Sequence, residues 1–182
     1  MAQRSFQIPE LVTRVRRAGL SPNQVLAFGS NHAGFHGAGI AGLAFRGTPE
    51  NTWRCDSAFL RAMRAQPGSP DRVGLRAVYG VGRGPQQGRE GLGYAIETVR
   101  RPGARCSVPL SEIREQVMGL VRWAAEHADL EVFCCVSGAG YNGWSTCEVR
   151  NGVYSGVDFP ENICIPADMA MTPTGLTESE CC

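Results

Sequence analysis

Apolar residues along this chain recur in two periods, and each period predicts an element. Leu11, Val12 and Val15 fall at helical spacing within residues 10–18, which predicts a short helix stopped by Gly19 and turned by "SPN". "QVLAF" is a short apolar run ended by Gly29 and predicts a buried strand. The small residues of "GAGIAGLAF" read as the start of a helix that lies close to a neighbour. Residues 56–65 put Phe59, Leu60 and Met63 on one face of another helix, and "QPGSPDRVG" reads as a surface loop. "LRAVYGV" and "LGYAIETV" read as strands on either side of a glycine-rich loop, "GRGPQQGREG". After the connection "RRPGARCSVP", Ser111 is placed to cap the clearest helix, in which Ile113, Val117, Leu120, Val121 and Ala124 recur at i, i+4, i+7, i+8 and i+11. "LEVFCCV" is an apolar strand followed by a third glycine-rich loop, "SGAGYNGW", and "NICIP" is a last short strand. From Ala167 the periodicity is lost, so residues 1–166 are expected to form one domain and residues 167–182 a loose tail.

The strands in this pattern do not alternate apolar with polar, and helices come between them. That combination predicts an α/β domain whose sheet is buried on both faces. In such sheets a ligand site lies beyond the carboxyl ends of the strands. The glycine-rich segments begin after Phe28, after Val81 and after Val136, each at the end of an expected strand, so they are expected on one rim. Glycine lets backbone N–H groups approach a ligand closely, and phosphate is the usual beneficiary. The plainer use of any one such loop is a tight turn.

Composition narrows the partners. With 18 basic and 17 acidic residues among 182, the chain has no electrostatic ground for a nucleic-acid or membrane partner. No apolar run approaches the roughly 18 residues of a membrane span, and the N-terminus lacks a secretory pattern, so a cytoplasmic protein is expected. Cys134, Cys135 and Cys164 sit in apolar runs and read as buried thiols, Cys181 and Cys182 as exposed ones, and no C-x-x-C pair marks a zinc site.

Three pieces of candidate chemistry remain. "GAGIAG", Gly37 to Gly42, fits G-x-G-x-x-G literally and keeps a Rossmann-type, NAD-dependent oxidoreductase open as an alternative, although "SNHAGFH" separates it from the strand. His32 and His36 stand at i and i+4, as metal ligands on a helix would, but Gly34 lies between them and no third ligand is near, so no metal or cofactor is expected. His32 and His36 read first as loop histidines with backbone partners, and His127 as a residue capping a helix C-terminus. No G-x-S-x-G elbow marks a serine hydrolase.

Taken together, "FGSNHAGFHGAGIAGLA", "YGVGRGPQQGREGLGYAIETV", "CCVSGAGYNGW" and "DFPENICIP" resemble a phage- and prophage-associated group of small proteins that is similar to the macro domain. "YAIET" stands where that group has Y-A-I-P-T, and Asn142 where it more often has alanine. The resemblance runs from Val25 to Pro166. It implies a three-layer α/β/α sandwich with a mixed central sheet, and a ligand of the ADP-ribose type. It places Asn31 facing the distal ribose, with Gly29 and Ser30 as further ligand-binding positions, Gly37, Ala38 and Gly39 in the segment leading into the adjacent helix, Gly82 and Gly84 in the second loop, and Ser137, Gly138, Ala139, Gly140 and Tyr141 around the diphosphate. Hydrolysis of an ADP-ribosyl derivative would fall to Asn31 and to His36, whose ordinary pKa suits a general base. The other reading left open is a non-catalytic phage protein that sequesters a signal or a host protein in the host cytoplasm.

Overall fold

The computed structural model describes residues 3–51, 56–136 and 143–170. The elements run β1 (Ser5–Phe6), α1 (Ile8–Ala18), β2 (Gln24–Asn31), α2 (Gly39–Arg46), α3 (Ser57–Arg64), β3 (Gly84–Gln87), β4 (Leu92–Val99), α4 (Leu110–Glu126), β5 (Glu131–Cys134), α5 (Thr146–Val149) and β6 (Ile163–Pro166). A 3-10 turn, Pro70–Arg72, follows α3, and a π-helical turn, Arg150–Tyr154, extends α5. The six strands form one mixed sheet in the order β1-β6-β5-β2-β4-β3. All neighbours are parallel except the edge pair β3 and β4.

The side-chain period of two divides each central strand between two cores. Val25 and Ala27 of β2 join Ile96, Val132 and Ile163 on one face, where Ile113, Val117, Leu120 and Ala124 of α4 cover them. Leu26 and Phe28 join Ala95, Phe133 and Cys164 on the other, under Leu11 of α1, Leu43 and Phe45 of α2, and Phe59 of α3. The apolar, non-alternating strands of the sequence thus have a direct cause: both faces are covered. No helix among the described residues is long and apolar enough to cross a membrane.

Several expectations are corrected. "LRAVYGV" is no strand. Its amides turn to the end of α2, where Leu75 N–H donates to Phe45 O at 2.9 Å and Arg76 N–H to Ala44 O at 2.7 Å, satisfying carbonyls that a helix terminus leaves without partners. The segment stays apolar because Ala77 and Tyr79 are buried, which gives a strand-like pattern without a ladder. The loop read in "GRGPQQGREG" contains the edge strand β3, and β1 was not foreseen. Met63 is 41% exposed, and Phe59 and Ala62 carry the buried side of α3. Helix α4 begins at Leu110 after Pro109, so Ser111 lies inside its first turn. The chain also remains packed past Ala167: its N–H donates to Phe6 O at 2.8 Å, and Met169 is fully buried.

Arg76 ties the amino-terminal ends of β2 and β4. Its buried guanidinium donates to the carbonyls of Leu20, Ser21, Gln24, Glu90 and Leu92. Burial lowers its pKa from the usual value, with Glu90 acting in the opposite sense.

Candidate functional site

Strands β2 and β5 are parallel neighbours, paired from Gln24 with Glu131 to Ala27 with Cys134. The chain leaves their carboxyl ends toward opposite faces. After β2 it enters α2, whose Ala41, Leu43 and Phe45 pack in one core. After β5 it reaches α5 and the π-helical turn, whose Val149, Val153 and Tyr154 pack in the other. Such divergence marks a topological switch point, and open α/β sheets take ligands outside the carboxyl ends of the strands at such a point. The first glycine-rich segment starts there; the third follows Val136 in the sequence, and its residues 137–142 lie outside the described residues.

The segment after β2 is built as a rigid loop. Asn31, 5% exposed, donates its side-chain N–H to Phe35 O at 2.8 Å and accepts from Phe35 N–H at 3.1 Å. Both ends of that amide are therefore committed to holding residues 31–35 in a turn. The second glycine-rich segment lies directly against it. A Cβ on Gly82 would stand 2.4 Å from Asn31 O and 2.9 Å from His32 O, and one on Gly34, at φ 66°, would stand 2.4 Å from Val81 N. Gly80 N–H donates to Gly34 O at 3.1 Å. The first two segments converge as expected, and at these positions glycine serves backbone-to-backbone contact.

His36 lies beneath this surface with no exposure. Its Nε2 is 3.1 Å from Val78 O, and its ring meets Phe28 edge-on with centroids 5.2 Å apart. Burial lowers its pKa to about 4, against the opposing pull of the Val78 carbonyl. The ring is thus neutral at pH 7, and its buried Nδ1 has no hydrogen-bond partner. This is the backbone-paired loop histidine of the plainer reading, and it offers no face to a dissolved substrate. His127 likewise ends α4, its Nδ1 2.7 Å from Trp123 O and its ring stacked on Trp123.

A cluster that the sequence reading missed lies at the carboxyl end of β4. Glu97 is fully buried, with Arg83 Nε 2.6 Å from Oε2 and Arg100 Nη1 3.0 Å from Oε1. Glu112, in the first turn of α4, also pairs with both arginines, which holds its carboxyl below the usual range. His32 Nδ1 stands 3.6 Å from Glu97 Oε2. The main chain of Glu97 is pinned too: its N–H donates to Gln116 Oε1 at 2.8 Å, and Gln116 Nε2 donates to its carbonyl at 3.1 Å. The available signal was a lone carboxylate inside the apolar run "LGYAIETV".

The connection after β4 is closed by Ser107, whose Oγ accepts from Arg100 N–H at 2.9 Å and donates to Ala104 O at 2.8 Å. It seats Arg105 against Gly143, where an added Cβ would stand 2.7 Å from Arg105 Cβ. Arg105 is exposed and has no ion-pair partner among the described residues. Its neighbour Cys106 has φ 46°, the only positive value at a non-glycine among the described residues. Trp144 Nε1–H donates to Val108 O at 3.1 Å and ties the far end of the third glycine-rich segment to the approach to α4.

The remaining candidates divide. Gly29 and Ser30 lie within β2, and Ser30 is 3% exposed. Gly37 O accepts from Arg46 Nη2 at 2.8 Å, Ala38 precedes α2, and Gly39 N–H donates to Pro49 O at 2.7 Å. Residues 32–38 separate β2 from α2, so "GAGIAG" lacks the tight strand–turn–helix that its fingerprint needs. Gly84 opens β3. Ser137, Gly138, Ala139, Gly140 and Tyr141 lie outside the described residues, bracketed by Val136 and Gly143. Compared with known proteins, the chain matches no protein-family model, and no curated protein matches it significantly.

Proposed function

We propose that this protein is a macro-domain-like module that binds ADP-ribose or a related NAD-derived nucleotide at the carboxyl ends of β2 and β5. The observation that carries the reading is the divergence of the chain after these two strands, with a glycine-rich segment following each in the sequence. The mixed sheet with helices on both faces agrees with the three-layer sandwich that the resemblance implies. Arg105, exposed and without an ion-pair partner among the described residues, adds a positive charge beside Gly143, at the end of the third segment.

The two residues expected to carry hydrolysis are poorly placed to react. The amide of Asn31 is committed to Phe35, and His36 is buried and neutral. Neither is presented as a reacting group, so binding is the primary proposal and hydrolysis of an ADP-ribosyl derivative a secondary one. Calorimetric titration with ADP-ribose, NAD and adenosine tests it. Saturable binding of ADP-ribose, weaker for adenosine, is the expected result; no heat at millimolar ADP-ribose refutes the assignment.

A further inference from the structure

Among the described residues, His32 is an exposed group of the rim suited to proton transfer. Its side chain is 77% exposed, whereas the Glu97 carboxylate beside it is fully buried. An ionised carboxylate is costly to bury unless paired. Arg83 and Arg100 supply that pairing, one on each oxygen, and Glu112 balances the second positive charge. The square of two arginines and two glutamates is neutral in itself and needs no histidine. A carboxylate oxygen accepts more than one donor, so Oε2, already holding Arg83 Nε, retains capacity toward His32 Nδ1.

Rigidity is distributed unequally within the pair. Glu97 is fixed at its main chain by Gln116 and at its side chain by two guanidinium groups. The backbone of His32 packs against Gly82, where an added Cβ would stand 2.9 Å from His32 O, and its imidazole is 77% exposed. At 3.6 Å the ring stands just beyond hydrogen-bond length, and a small rotation about its side-chain torsions closes the gap. A proton held on Nδ1 by a buried carboxylate leaves Nε2 as the acceptor, which is how carboxylate partners fix histidine tautomers elsewhere.

We propose that His32 is the proton-transfer group of this rim and that Glu97 is the residue that positions it. With Nδ1–H directed at Glu97, the Nε2 lone pair faces the solvent side at the end of β2. In a hydrolysis, Nε2 takes a proton from water as the water oxygen bonds to the electrophilic carbon. The bond from that carbon to the leaving group breaks, and the leaving group receives the proton back from Nε2–H. The identity of that carbon as a ribosyl carbon rests on the nucleotide reading; the dyad itself does not. The charged groups facing the imidazole are Glu97 directly, with Arg83, Arg100 and Glu112 behind it.

The test is long-range nitrogen–proton NMR of the imidazoles in the labelled protein at pH 8, with His32 assigned by its loss in His32→Gln. The expected result is an Nδ1–H tautomer for His32. In folded Glu97→Met this should revert to the Nε2–H form that free imidazoles prefer, while Glu112→Gln keeps the Nδ1–H form. An Nε2–H tautomer in the parent protein overturns the proposal, and this holds even if Glu97→Met fails to fold. Persistence of Nδ1–H in folded Glu97→Met also overturns it. ADP-ribose is then added: a shift of His32 Nε2 supports the role, and saturable binding without such a shift overturns it. Absence of binding refutes the nucleotide reading alone and leaves the tautomer result to decide the dyad.

Discussion

Replacing His36 by glutamine gives a direct measure of how the first loop is built. In the folded chain the imidazole titrates at about 4, against 6.5 for the free group, because burial disfavours the charged ring. Between these values the unfolded chain binds more protons than the native one, so stability rises with pH. The contribution is complete above about pH 7 and is lost as pH falls through 6.5 toward 4. At about 1.4 kcal/mol per pKa unit, acidification from pH 7.5 to 4.5 should cost the parent about 2–3 kcal/mol through this residue alone. His36→Gln retains a donor for Val78 O but cannot be protonated in this range. It also loses the edge-on contact with Phe28, at a fixed cost of about 0.5–1.5 kcal/mol. Urea denaturation of both proteins across this range, taken as a difference, cancels the carboxylates they share. The parent should be the more stable at pH 7.5, and the difference should move by about 2–3 kcal/mol in favour of the variant by pH 4.5, enough to reverse its sign. A gap independent of pH would show that His36 titrates normally, and the buried, neutral histidine would be wrong.

Two further substitutions probe the frame and the rim. Arg76→Met removes the donors of five main-chain carbonyls and should destabilise the protein by about 3–5 kcal/mol in urea melts; a change under about 1 kcal/mol would mean that water replaces the guanidinium without loss. Arg105→Ala should leave the melting profile unchanged and weaken ADP-ribose about tenfold or more, the loss of one charge-assisted hydrogen bond, while adenosine binding stays constant. Equal loss for both ligands would show that Arg105 does not act through phosphate.

The legible parts of this chain were those in which one strong period met one environment. Strands β2, β4, β5 and β6 and helix α4 stood out because continuous apolar runs and a regular helical stripe each have two covered faces or one. "LRAVYGV" misled because buried side chains and ladder hydrogen bonds are separate requirements, and only the first leaves a mark in composition. β3 was hidden by its glycine and proline, which an edge strand with a single partner tolerates. Of the two readings of His36, the structure has the backbone-paired one and not an exposed base; its distance from solvent depends on Phe28 and Phe45, which no local pattern reveals. Glu97 went unused because Arg83 and Glu112 lie elsewhere in the chain and only the fold brings them to it; Arg100, three residues on, was the one local partner.

The central claim is a nucleotide site at the carboxyl ends of β2 and β5. Amide NMR of the labelled protein, recorded during titration with ADP-ribose, tests it most directly. The account predicts saturable shifts concentrated at Asn31 to Gly39, at Arg105 to Ser107 and at Gly143 to Trp144. The amino-terminal ends of the strands near Gln24 and Leu92 should stay unmoved. Saturable shifts at those opposite ends, or no shifts at millimolar ADP-ribose, would contradict it.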